Sequence, residues 1–190
     1  MPKISVKLGD ITSIAVDAIV NSANPTLLAG GGVSGAIHRA AGPELERACR
    51  ELGHCPAGEA VVTAAFGLPA TWVIHAVGPR WLDGTRGEEE LLRSCYQSIL
   101  AVADRAGVRE LTVPSISTGI YRFPLHAAAR IAVETIRSTE TKLRTITFVC
   151  FDQATKDAYE EALMTRIENY FCSCYVLGRL SATGIVLLST

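Results

Sequence analysis

The chain lacks any imbalance of charge. Across its 190 residues, 18 Lys and Arg stand against 19 Asp and Glu, a formal net charge of −1. Acids and bases are mixed throughout, so no electrostatic footprint for duplex nucleic acid is present. It also lacks an apolar leader, because "MPKISVKLGD" contains no hydrophobic core of a secretory signal. A clean membrane span is missing too. The apolar final stretch, "FCSCYVLGRLSATGIVLLST", is interrupted by Gly178, Arg179, Ser181 and Gly184. Six cysteines (Cys49, Cys55, Cys95, Cys150, Cys172 and Cys174) form no C-x-x-C pair and no framework spacing. They read as reduced thiols of a cytoplasmic protein. Cys49, His54 and Cys55 lie close in sequence but fit no zinc template, so neither a metal nor a cofactor is expected. No solenoid-period repeat and no low-complexity tract occur.

What is present is enough apolar material for one well-buried core, 48% of residues. Strand signals open the chain with "ISVKLG" and "AIVNSA". Residues 33–41 read as a short helix. Pro43 suits the first turn of a second, ending near Leu52 with Gly53 as its stop. "EAVVTAAF" and "WVIHAVG" are strands split by the turn residues Gly67 and Pro69, and their short connection predicts an antiparallel pair. "GEEELLRSCYQSILAVADRAG" carries acids in its first turn and a helical apolar stripe from Leu91 to Val102. The strand "ELTVPSIS", a helix over 124–137, the strand "TITFVCF" and a helix over 154–170 complete the pattern. Alternating strands and helices predict an α/β domain with helices on both faces of a mixed sheet. In such sheets ligands sit beyond the carboxyl ends of strands. "GDI", "NSAN", "STGIY" and "FDQ" each fall at such an end.

Gly30, Gly31 and Gly32 precede the first helix, and Gly30, Gly32 and Gly35 spell G-x-G-x-x-G. The dinucleotide-binding form of that motif follows its strand at once, with an acidic ribose reader about twenty residues on. Here "NPTLLA" intervenes, and the helical "PELERACREL" occupies the place of the expected second strand. No G-K-[ST] follows, so a P-loop is excluded. The physics of glycine before a helix remains. Backbone N–H groups can approach phosphate oxygens, and the helix N-terminus adds favourable partial charge. Ser117, Thr118 and Gly119 offer a second set of amides and hydroxyls.

"GDIT", "VDAIVNSANPTLLAGGGVSGAIHRAAG", "LPATWVIHAVGP" and "PSISTGIYRFP" together resemble the macro domain family, in its MacroD-type bacterial branch. The resemblance covers roughly residues 3–170 and leaves 171–190 as an apolar tail of unassigned role. It implies a three-layer α/β/α sandwich around a central mixed β-sheet. It also implies binding of ADP-ribose or O-acetyl-ADP-ribose, and hydrolysis of the latter or of mono-ADP-ribose esters on acidic protein side chains. By the same resemblance Asp10 accepts from the adenine amino group beside Ile11, and Phe151 packs on the adenine with Asp152 near. Gly31, Gly32 and Val33 form one diphosphate wall. Ser117, Thr118, Gly119, Ile120 and Tyr121 form the other, with Tyr121 over the distal ribose. Asn24 holds that ribose, where the scissile ester is attached.

Plainer roles compete for single residues. Asp10 could be a helix or turn cap, Asn21 and Asn24 turn residues, and Phe151 ordinary core. His38 and His75 read as structural. The pattern breaks at Ser34, where hydrolytic members usually carry aspartate. A serine hydroxyl is a poor general base near neutral pH, and no adjacent His or Lys is evident in the sequence. Ser34 is therefore the second candidate catalytic residue beside Asn24, and also the reason to weigh a non-catalytic ADP-ribose reader. Arg122 stands where the family usually has glycine and is expected to extend into solvent.

Overall fold

The structure is a computed structural model that describes residues 1–177, with side chains described through residue 165. The strands are β1 (Lys3–Leu8), β2 (Val16–Ser22), β3 (Ala60–Ala64), β4 (Ala70–Ala76), β5 (Glu110–Val113) and β6 (Thr145–Cys150). The helices are α1 (Gly32–Ala41), α2 (Pro43–Leu52), α3 (Glu88–Arg105), α4 (Leu125–Ser138) and α5 (Gln153–Leu177). One sheet runs in the order β1-β6-β5-β2-β4-β3. All neighbours pair parallel except β3 and β4, which pair antiparallel, so the sheet is mixed as expected.

Adjacent residues of the inner strands point to opposite faces and are buried on both. Val20, Ile74 and Phe148 pack with α3, α4 and α5 through Tyr96, Ile99, Ile131 and Tyr159. Their chain neighbours Ile19, Val73 and Val149 pack with α1 and α2 through Ile37, Leu45 and Cys49. Two helical layers thus enclose the sheet, which is the expected three-layer sandwich.

Two boundaries differ from expectation. β5 stops at Val113 rather than running through "PSIS", because Pro114 has no N–H to donate to a ladder. α5 continues past Tyr170 to Leu177. The remainder of the C-terminal tail, 178–190, lies outside the described residues. Among the described residues no helix is long and apolar enough to cross a membrane.

The topology positions the site. β1, β6, β5 and β2 are sheet neighbours and parallel, so their carboxyl ends share one edge. The segments that follow them begin at Gly9, Phe151, Pro114 and Ala23.

Candidate functional site

Those segments and the start of α1 line one cleft of ≈ 570 Å³. Every residue singled out from the sequence as a ligand contact, from Asp10 and Ile11 to Phe151 and Asp152, lines it, and so does Ser34.

The first wall is the turn into α1. Gly32 has φ +59, a left-handed conformation that a side chain would strain. Gly35 lies so close to the loop that a Cβ there would stand 2.6 Å from the Gly30 carbonyl oxygen. The last glycine of G-x-G-x-x-G therefore lets the loop fold back on its own helix. Among the described residues, the N–H groups of Gly31, Gly32 and Val33 have no protein acceptor. At a helix N-terminus such free donors carry partial positive charge.

The second wall is the loop after β5. Ser117 has φ +67, and the loop closes on itself through Phe123 N–H to Ser117 O at 3.0 Å and Arg122 N–H to Gly119 O at 2.9 Å. It is tied to the core by hydroxyls. Thr118 Oγ1 donates to Ser115 Oγ at 2.8 Å, and Tyr159 donates to the same oxygen at 3.2 Å. Among the described residues, the N–H groups of Thr118, Gly119, Ile120 and Tyr121 also lack protein acceptors. Two rows of unpaired amides on opposite sides of a cleft can grip an anion without any lysine.

At one end stand Asp10, Ile11, Phe151 and Asp152. Asp10 caps the 3-10 turn at Ile11–Ser13, and its Oδ1 accepts from Thr12 N at 2.9 Å and from Thr12 Oγ1 at 2.7 Å. These two bonds, the backbone one foremost, hold its carboxyl below the usual aspartate range. The cap and the ligand reading coexist, since Oδ2 makes no bond among the described residues. Asp152 has a second role that the sequence reading missed, because its Oδ1 accepts from Thr155 N at 2.7 Å at the start of α5. Phe151 is 92% exposed, which removes the reading of it as ordinary core. An aromatic side chain left so open at a cleft rim suits stacking on a flat ligand.

At the other end is Asn24. Its Oδ1 accepts from Thr26 N at 3.0 Å and Thr26 Oγ1 at 2.7 Å, and its Nδ2 donates to Leu28 O at 2.9 Å. The turn role and the site role again coincide, with one N–H of Nδ2 left over. A Cβ on Gly30 would lie 3.5 Å from that Nδ2 and 4.0 Å from Ser34 Oγ, so the two side chains flank the same small gap. Ser34 is only 4% exposed, and its hydroxyl has no partner among the described residues.

His38 and His75 are buried outside the lining. The tautomer of His75 follows from its neighbours. Thr63 Oγ1 donates to Ala64 O at 3.0 Å, so it accepts from His75 Nε2 at 2.9 Å. Nδ1 then accepts from Asn21 Nδ2 at 3.1 Å. Burial foremost, and then proximity to His38, depresses the His75 pKa to about 3. This peg fixes Asn21 at the end of β2, immediately before the lining residues Ser22, Ala23 and Asn24.

The sequence reading missed Arg39 and Cys150, which also line the cleft. Cys150 is buried, and that burial, with Asp152 adding to it, pushes its thiol up to about 11. The helical spacing from Gly35 to Arg39 could have signalled the arginine, since long side chains lean back over the preceding turn.

A three-layer α/β sandwich with an amide-lined cleft at the carboxyl edge of its parallel strands is a fold built for an elongated, partly anionic ligand. A macro domain profile matches residues 20–132. The chain is 54% identical to a macro domain-containing protein of Chlorobaculum tepidum over 157 residues, 81% of this chain and 91% of that one. It is 51% identical to an O-acetyl-ADP-ribose deacetylase of Citrobacter rodentium over 168 residues, 85% of this chain and 95% of that one. Among solved structures, a mutant macrodomain of Oceanobacillus iheyensis with ADPR superposes with a TM-score of 0.82 at 41% identity, covering 86% of this chain and 92% of that one. The chain belongs to the macro domain family.

Proposed function

We propose that the cleft binds ADP-ribose and that the protein hydrolyses O-acetyl-ADP-ribose and mono-ADP-ribosyl esters on acidic protein side chains. The observation that carries this reading is the opposition of two rows of free amides between an aromatic end and an amide-and-hydroxyl end. A nucleoside diphosphate sugar has that order of chemistry: flat base, diphosphate, ribose. Phe151 stacks on the adenine over Ile11, Asp10 Oδ2 accepts from its amino group, and Asp152 stands near. Gly31, Gly32 and Val33 face Ser117, Thr118, Gly119 and Ile120 across the diphosphate. Tyr121 covers the distal ribose, and the spare N–H of Asn24 donates to it. Water placed beside the diphosphate attacks the acyl carbon; the ribose leaves as the alcohol and the acid as its carboxylate, with one proton released. Catalysis is mainly positioning, because Ser34 supplies no base near neutral pH. Relatives of about half-identical sequence named O-acetyl-ADP-ribose deacetylase support the reaction class.

One observation favours a second reading, an ADP-ribose reader without turnover: the group facing the reacting end is the Ser34 hydroxyl and not a carboxylate. Calorimetric titration with ADP-ribose, followed by single-turnover hydrolysis of O-acetyl-ADP-ribose on the same sample, separates the two. Tight binding with no turnover leaves the reader. No binding removes both.

A further inference from the structure

Arg39 is exposed, and its side chain runs back along α1 toward the glycine turn; Nη1 lies 3.0 Å from where a Cβ on Gly35 would stand. It is the one Lys or Arg in the cleft lining, and among the described residues it has neither an ion-pair nor a hydrogen-bond partner. The acids of the lining, Asp10 and Asp152, flank Phe151. Beside the opposite wall stand two more exposed arginines. Arg122 follows Tyr121, and Arg80 precedes Trp81, whose N–H donates to the Tyr121 carbonyl at 2.8 Å. Neither has an acid partner among the described residues, a property they share with Arg105, Arg109 and Arg144 away from the cleft, so it is their place beside the second wall that singles them out.

We infer that Arg39, with Arg80 and Arg122 opposite, forms a cationic collar that selects ADP-ribosyl esters on acidic polypeptide, where further carboxylates flank the modified side chain. The inference rests on the proposed placing of the ester at the Asn24 and Ser34 end. The free amides already serve the diphosphate, so Arg39 is left for what continues out of the cleft. On a protein substrate that is polypeptide. A guanidinium presents a planar fork that fits carboxylate bidentately. Three isolated cations on a chain of net charge −1 fit a short acidic segment and do not make the extended basic face that a nucleic-acid strand needs.

The test uses two peptides, each mono-ADP-ribosylated on one glutamate, with glutamates or with serines as flanks. Binding is read by stopped-flow fluorescence before turnover, beside free ADP-ribose. The wild-type protein should prefer the acidic peptide by about tenfold at low ionic strength, and the preference should shrink in high salt. Arg39→Ala should remove most of it while changing ADP-ribose affinity by less than about twofold, and Arg39→Lys should restore part. Equal affinity for the two peptides with ADP-ribose still bound overturns the collar and leaves the proposed function standing. So does a preference that survives replacement of all three arginines, or an Arg39→Ala loss equal for ADP-ribose and peptide, which would make Arg39 a diphosphate ligand. A terminally ADP-ribosylated oligonucleotide that outcompetes the acidic peptide through the same arginines assigns the collar to nucleic acid instead. Failure of ADP-ribose itself to bind removes the reading beneath the collar and the collar with it.

Discussion

Trp81 donates its backbone N–H to the carbonyl of Tyr121 at 2.8 Å, so the loop before α3 is bonded to the second wall of the cleft. The Trp81 ring also meets Phe123 edge-on, with centroids 4.7 Å apart. That loop is organised by one buried carboxylate. Glu88 is 2% exposed; its Oε1 accepts from Leu82, Asp83 and Gly84 N–H, and its Oε2 from Arg86 N–H. Burial alone would raise the Glu88 carboxyl, but the loop's backbone amides outweigh it and hold the pKa at about 2.

Glu88→Gln should therefore loosen the second wall from a distance. The amide offers one acceptor oxygen and brings two N–H donors among backbone N–H groups that need acceptors. The expected result is a melting temperature lower by several degrees and weaker ADP-ribose binding. Glu88→Asp should recover neither in full, because the shorter side chain cannot reach all four amides.

The first wall depends on its glycines in two different ways. Gly35→Ala drives a Cβ against the Gly30 carbonyl and should disorder the turn, lowering both stability and affinity. Gly32 has open space around it, so Gly32→Glu should leave the fold largely intact apart from strain at φ +59. It places a carboxylate against the diphosphate and should abolish ADP-ribose binding by calorimetry. Unchanged affinity in a folded Gly32→Glu protein would take this loop out of the site.

Asn24 calls for a substitution that spares its bonds to Thr26. Asn24→Ala would lose the acceptor for Thr26 as well as the donor. Asn24→Asp keeps the acceptor for Thr26 but removes both N–H groups, the spare one and the one bonded to the Leu28 carbonyl, so it should lower stability somewhat and cut single-turnover hydrolysis much more than it cuts ADP-ribose affinity. Ser34→Asp supplies a carboxylate beside it. If a general base is what limits the rate, hydrolysis should rise by about 10²–10⁴; no rise means positioning already dominates.

The peg at His75 gives a pH signature. Its pKa lies at about 3 folded against 6.5 as the reference value, so the unfolded chain binds more protons between them. Stability should therefore be full above about pH 6.5 and decline as pH falls toward the folded value. His38, whose pKa is also lowered chiefly by burial, pulls the same way. Thermal melts from about pH 7.5 to about pH 5 should show a falling midpoint, and His75→Gln should flatten the slope.

Much of this is legible in the sequence. Strand runs such as "WVIHAV" are apolar on both faces because both faces are covered, and caps such as Pro43 and Gly53 act locally, so α2 falls at Pro43–Leu52 as read. Loops that carry local chemistry, at Gly30–Gly32 and Ser117–Tyr121, were likewise visible. What the sequence hid is non-local. The order β1-β6-β5-β2-β4-β3 is set by packing between distant segments. Glu88 looked like one of three acids at a helix start, and nothing in "GEEE" says which one turns inward. Arg39 reaches the cleft by running back along the helix past Gly35, where a Cβ would stand 3.0 Å from its Nη1. The sequence reads Asp10 and Asn24 as either turn residues or ligand residues and Asp152 as a ligand neighbour alone, and the structure gives all three a local capping bond.

The cleft lining contains neither histidine nor lysine among the described residues. The anion grip proposed for it is made of backbone amides, and an amide has no proton to lose in ordinary conditions. The Asp10 carboxyl is held below the usual aspartate range, and the Cys150 thiol is pushed up to about 11. Ligand capture should thus be indifferent to cellular acidification over a span in which a histidine-gated pocket would open and shut, so a fall in pH would reach this protein first through its stability and not through its occupancy.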